Sequence, residues 1–105
     1  MLTIEPSTAP GTVRPQGEID MATAAMFSEA LEEAASSGEQ LVVDMAGVTF
    51  IDSSGLHVLM KAAVSLNGRA PLVLSNVPPP LGRLLTIVGM DALPSIEVRA
   101  EEGSR

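Results

Sequence analysis

Short β-favouring runs alternate along this chain with stripes of helical period, and this alternation restricts the fold more than any other property. Residues 41–43 (Leu-Val-Val), 48–51 (Val-Thr-Phe-Ile) and 72–74 (Leu-Val-Leu) have strand length and strand composition. Ahead of them the period changes at Asp20, and Phe27, Ala30, Leu31 and Ala34 recur at helical spacing until Gly38 supplies a stop. Leu56, Leu59, Met60, Ala63 and Asn67 trace a second stripe, closed by Asn67 and Gly68. Leu81, Leu84, Leu85 and Val88 trace a third, entered through Pro78, Pro79 and Pro80 and ended by Gly89. Proline suits a first helical turn because the amide it lacks would have no partner there. Strands alternating with helices predict an α/β domain whose sheet contains parallel pairs. The unbroken apolar runs at 41–43 and 72–74 fit strands covered on both faces.

The remaining elements are weaker. Residues Leu2–Glu5 alternate, residues 6–11 carry two prolines and a glycine and read as a turn, and Thr12–Ile19 returns as a second strand. Pro15 lies inside that strand and predicts an edge position or a bulge, since proline cannot donate to a ladder. Residues 95–99 read as a last strand and 100–105 as a frayed tail.

Composition removes whole function classes. With no cysteine among 105 residues, disulfide scaffolds, zinc fingers and cysteine nucleophiles are excluded together. A mean hydropathy of +0.31 is too apolar for a disordered chain. No run reaches the ~18 apolar residues of a membrane span, and no basic-then-apolar leader is present, so a cytoplasmic location is expected. Residues 1–60 hold nine acids against the single base Arg14, whereas residues 61–105 hold four acids and five bases. Without clusters of Lys and Arg the chain is expected to bind neither nucleic acid nor an anionic membrane, which leaves a protein partner. Glu29, Glu32 and Glu33 read as the solvated face of the first helix.

In open α/β sheets, sites gather beyond the carboxyl ends of the strands. Three strand-to-helix segments qualify: 17–21 (Gly-Glu-Ile-Asp-Met), 51–55 (Ile-Asp-Ser-Ser-Gly) and 75–78 (Ser-Asn-Val-Pro). If their strands are parallel neighbours, Asp20 and Asp52 share a rim with Ser53 and Ser54. Asp52 or either serine can cap the second helix, and a good cap alone would account for them. The segment holds more capping residues than one helix start uses, however, and Gly55 lowers helix propensity within the first turn. A glycine there allows a partner to approach the serines closely. A phosphate on Ser53 would sit at a helix N-terminus, where free N–H groups and the dipole favour an anion. It would add about −1.5 to −2 charges beside Asp52.

Catalysis is poorly supported. His57 stands four residues after Ser53, but no third residue orients it and no Gly-x-Ser-x-Gly elbow exists. No phosphate-cradling Gly-rich loop occurs, and one histidine with scattered acids has no metal-ligand spacing. The six methionines read as core filling. The chain is therefore read as a non-enzyme without cofactor or metal.

The stretch VDMAGVTFIDSSGL over residues 43–56 resembles the signature of STAS domains, specifically bacterial anti-sigma factor antagonists. GEID at 17–20, NVP at 76–78 and LLTIVGM at 84–90 match at comparable spacing, so the resemblance spans nearly the whole chain. It implies one domain over residues 1–105, a central mixed sheet of four to five strands with flanking helices; this chain departs from the family after its last strand, where the usual C-terminal helix is expected to be shortened or absent. More of the sheet would then be uncovered, which leaves room for a homodimer. The resemblance also implies partner exchange. The unphosphorylated form binds an anti-sigma factor serine kinase and frees its sigma factor. The kinase then phosphorylates the antagonist, which lets go, and a PP2C-type phosphatase resets it. Carried over to this chain, the acceptor is Ser53, with Ser54 as second choice. Glu18, Asp20, Met21, Asp52, Ser54, Gly55 and Leu56 form the implied partner-binding surface. The alternative is a STAS adaptor subunit of a transporter or signalling assembly that is never phosphorylated. Retention of Asp52 and Ser53 together with Asp20 favours the switch, because a scaffold needs no acceptor serine.

Overall fold

Strand β2 (Thr12–Ile19) organises the sheet in the computed structural model, which describes residues 1–7 and 9–101. On one side it pairs antiparallel with β1 (Leu2–Glu5). On the other it takes two parallel partners in succession: β3 (Val42–Asp44) beside Thr12 and Val13, then β4 (Val48–Ile51) beside Gly17, Glu18 and Ile19. Pro15 falls between these two segments. Gly17 donates its N–H to the Gly47 carbonyl at 2.9 Å on this side, and by the period of the pleat Pro15 faces the same way. The missing amide therefore points into the fork between β3 and β4, where no ladder bond is due. The proline is fully buried within a central strand, which corrects the expected edge position. A register shift does occur, but between Gly17 and Glu18.

Beyond β3 the sheet continues in parallel through β5 (Leu72–Val77) to β6 (Ile96–Ala100), giving six strands rather than four to five. Strand β5 runs three residues past the predicted run of 72–74, because Asn76 takes a left-handed conformation at φ 53° inside a bulge and the chain re-pairs at Val77. The third segment expected as a strand-to-helix loop is thus mostly strand, with Pro78 alone leading into the helix behind it.

Three α-helices flank the sheet: α1 (Ala24–Ala35), α2 (Ser53–Ser65) and α3 (Pro79–Ile87). Phe27 and Leu31 carry the buried stripe of α1, and Val58, Leu59 and Ala63 that of α2; these two helices also pack on each other. Glu29, Glu32 and Glu33 lie exposed on α1, as a solvated face requires. The left-handed Gly38 and Gly89 follow α1 and α3 as the stop signals predicted, and Asn67 and Gly68 follow α2 likewise. A short 3-10 turn at Met90–Ala92, not foreseen from sequence, anchors buried Met90 before β6 begins. No helix follows β6 among the described residues; of the tail expected over 100–105, Ala100 instead belongs to β6, where it pairs with Val77, and residues 102–105 lie outside the described ones. No helix among the described residues is long and apolar enough to cross a membrane.

Candidate functional site

The register of β2 with β4 places Ile19 directly beside Ile51. Because the strands are parallel, the next residues, Asp20 and Asp52, leave the sheet together on one rim. The Asp52 N–H donates to the Ile19 carbonyl at 3.1 Å and ties the two exits to each other.

Each aspartate then caps its own following turn. Asp20 Oδ1 accepts the N–H groups of Ala22 and Thr23, both at 3.1 Å, while the Thr23 hydroxyl accepts the Asp20 N–H at 2.9 Å. This reciprocal bond was not anticipated, although an Asp followed three residues later by Thr is a legible turn signal. Asp52 Oδ1 accepts the N–H of Ser54 at 2.9 Å and of Gly55 at 3.3 Å, and also the Ser54 hydroxyl at 2.5 Å. The hydrogen bond from the Ser54 hydroxyl, with those from the N–H groups of Gly55, Ser54 and Met21, holds the Asp52 carboxyl below its ordinary range against an opposing desolvation. The link between the two loops is the Asp52 backbone itself, through its N–H on the Ile19 carbonyl.

A depressed carboxyl contributes stability that is complete above its unfolded value and lost as pH falls through the folded value. Asp52→Asn can still cap the helix but cannot titrate. The difference in unfolding temperature between wild type and Asp52→Asn is therefore expected to hold from pH 7 to about pH 5 and to narrow below about pH 4. Thermal melts at stepped pH check this, and a constant difference down to pH 2.5 would remove the role given to the Asp52 charge.

The two serines of the motif are unequal. Ser54 is half-buried and its hydroxyl is committed to Asp52. Ser53 is exposed, and its hydroxyl makes no hydrogen bond among the described residues. Met21 projects from the same rim with 82% of its surface exposed, and Leu56 is half-buried against the core. Glu18 is exposed with a carboxylate oxygen 3.0 Å from the Met1 amino group, whereas Asp20 and Asp52 have no ion-pair partner among the described residues.

Gly55 departs from the expectation. It is buried, and a Cβ at this position would meet Ile51 Cγ1 at 2.6 Å and Ile19 Cγ2 at 2.7 Å. The close approach that glycine permits is made by the sheet's own isoleucines rather than by a partner. The helix-start amides are also less free than the motif implies, since Asp52 already occupies those of Ser54 and Gly55.

Asp44 and Asn76 form a separate cluster at the ends of β3 and β5. Asn76 Nδ2 donates to Asp44 Oδ1 at 3.2 Å, Arg14 Nε lies 3.7 Å from Asp44 Oδ2, and no hydrogen bond among the described residues joins them to Asp20 or Asp52. Phe50, opposite Glu18 in the ladder and 51% exposed, is an apolar feature that sequence reading missed; a short run with two adjacent outward residues gives no alternation to detect. His57 is exposed one turn into α2, with no hydrogen bond to Ser53 among the described residues. No group of three or more acidic or histidine side chains among the described residues is placed to hold a metal ion.

Comparison with known proteins places this geometry in context. A family model described as "Mlab, STAS domain" matches residues 2–96. The chain is 39% identical over 89 residues to the anti-sigma-B factor antagonist of Listeria monocytogenes, covering 83% of this chain and 76% of that protein. It is 30% identical over 83 residues to a STAS-domain containing protein of Pseudomonas aeruginosa, covering 78% and 82%. The crystal structure of an anti-sigma factor antagonist from Mycobacterium paratuberculosis superposes with a TM-score of 0.81 at 24% identity, over 94% of this chain and 86% of that one, a likeness of fold.

Proposed function

The chain belongs to the STAS domain family, and from that premise we propose that it is an anti-sigma factor antagonist switched by phosphorylation of Ser53. Unphosphorylated, it presents the rim of Asp20, Met21 and Asp52 to an anti-sigma factor kinase and so releases the sigma factor. Transfer of the γ-phosphoryl group of ATP to Ser53 Oγ yields ADP and the hydroxyl proton, and leaves a charge of about −1.5 to −2 in the middle of the interface. An interface that covered neutral Ser53 would then have to desolvate that charge beside two unpaired carboxylates. The antagonist dissociates, and hydrolysis by a PP2C-type phosphatase returns the serine and inorganic phosphate.

The observation that carries this reading is the contrast between the serines. Ser53 has an exposed hydroxyl with no internal bond, so a phosphate there breaks nothing inside the domain. Ser54 holds Asp52, so modification there would break the bond that its hydroxyl gives the capping carboxylate. The switch thus acts on the partner and leaves the fold in place.

Intact-mass measurement after incubation with the cognate kinase and ATP tests the proposal. One added phosphoryl group is expected on the wild-type chain and none on Ser53→Ala, which should still bind the kinase. An unmodified wild-type chain would sink the switch and favour a STAS adaptor that is never phosphorylated. Phosphate found on Ser54 would overturn the assignment of the acceptor.

A further inference from the structure

We infer that His57 is the counter-charge of a phosphate on Ser53, so that phosphorylation creates an intramolecular pair on the first turn of α2. The inference rests on the assignment of Ser53 as acceptor and adds to it a residue that senses the modification.

Ser53 and His57 stand four residues apart in α2, and positions i and i+4 lie on one face, one above the other. Side chains on a helix lean toward its N-terminus, which brings position 57 within reach of the turn that begins at Ser53, although in the unmodified chain His57 lines a shallow hollow with Met60, Lys61 and Val64. Both residues are exposed, and among the described residues neither side chain has a hydrogen bond to give up. The anion at i with the cation at i+4 is also the favourable order for a helical pair.

The usual host for a phosphate at a helix start is its set of free amides, and here two of them are taken. Asp52 accepts the N–H groups of Ser54 and Gly55, which denies both to a phosphate on Ser53. The Ser53 N–H is left, and a cationic side chain within reach is what can neutralise the charge. On α2 the charged groups are Asp52 at its cap, His57, and Lys61 one turn further on. Of the elements packed on α2, β4 has no charged residue, while α1 carries only Glu29, Glu32 and Glu33, with Glu32 lining the α1–α2 cavity opposite Lys61. Asp20, on the neighbouring turn, is a further anion on the rim. Strand β2, which meets α2 through Ile19, adds Glu18 on the rim and Arg14, the latter paired with Asp44. Lys61 stands eight residues from Ser53, two turns away and beyond the reach of the pair.

A phosphoserine loses its second proton near pH 6, and imidazole titrates in the same region. The pair consequently titrates as a unit, with two apparent values further apart than those of the separate groups. Between them the imidazolium offsets one charge of the phosphate. Phosphorylation then drives the partner away less strongly at slightly acid pH than at slightly alkaline pH.

His57 is the only histidine in the chain, so a single imidazole resonance reports on it. Phosphoserine can be installed at position 53 by genetic encoding in the full chain, and the His57 resonance followed by NMR from pH 5 to 9. The apparent pKa of His57 is expected to rise by about one unit over the unmodified chain. By linkage, the phosphorus resonance of the His57→Gln phosphoprotein should titrate at a higher pH than that of the phosphorylated wild type. Lys61→Gln should leave both shifts in place. An unchanged His57 titration, or a shift that disappears in Lys61→Gln, overturns the inference. Because the phosphate is installed without the kinase, this outcome is separate from a failure of the kinase to modify Ser53, which would overturn the proposed function instead.

Discussion

Ser53→Glu is expected to weaken binding of the anti-sigma factor kinase by roughly thirtyfold to several thousandfold while leaving the stability of the domain almost unchanged. The range is the cost of about 2–5 kcal/mol for burying an uncompensated charge in an interface. Asp20 and Asp52, without ion-pair partners among the described residues, add to that charge, whereas the counter-charge inferred for His57 moves the effect toward the lower end of the range. The folded chain, by contrast, loses no hydrogen bond from Ser53 and gains an acid in the first turn of α2, where the helix dipole favours one by about 0.3–1 kcal/mol. Titration calorimetry with the kinase and urea unfolding of the free domain read the two effects separately. Ser53→Gln supplies the neutral control of equal length and should retain most of the affinity. Equal weakening by Gln and Glu would mean that bulk, not charge, releases the partner, and would remove the electrostatic basis of the switch.

How much of this was legible in the sequence differs by element. Residues 48–51 announced themselves by β-favouring composition and the three helical stripes by their period, both of which are local properties of the chain. The shared rim was legible too, since a parallel sheet places its carboxyl ends together and Asp20 and Asp52 follow two of them. Pro15 was misread because the strand exchanges β3 for β4 at that point, and the identity of a neighbouring strand is a non-local fact. The stretch Asn76-Val77-Pro78 carried turn signals, yet Asn76 spends them on a bulge within β5 and the pairing resumes. For Gly55 the sequence showed that a glycine was required without showing which side needed the space. That depends on how α2 lies over Ile19 and Ile51, which only packing decides.

Gly55→Val is accordingly expected to lower the unfolding free energy by about 3 kcal/mol, near the upper end of the usual cost of overpacking a core. Helix propensity opposes this, since replacing a glycine within a helix gains up to about 1 kcal/mol, less for a β-branched residue. Steric crowding outweighs that gain. The first added carbon already meets Ile51 Cγ1 at 2.6 Å and Ile19 Cγ2 at 2.7 Å, before the two methyl groups of valine are counted. Those atoms sit on the β-carbons of isoleucines that are 5% and 0% exposed, and they cannot move aside without turning χ1 in a close-packed interior. The start of α2 must therefore lift from the sheet, straining the bonds by which Asp52 holds Ser54 and Gly55. Urea unfolding measures the loss. Shortening the opposing side chain tests its cause: Ile51→Ala removes the nearest clashing atom, so the Gly55→Val, Ile51→Ala double variant should be less destabilised than the sum of the two single changes. If Gly55→Val instead folded with wild-type stability and lost only its affinity for the kinase, the glycine would be serving the partner's approach and not the sheet's.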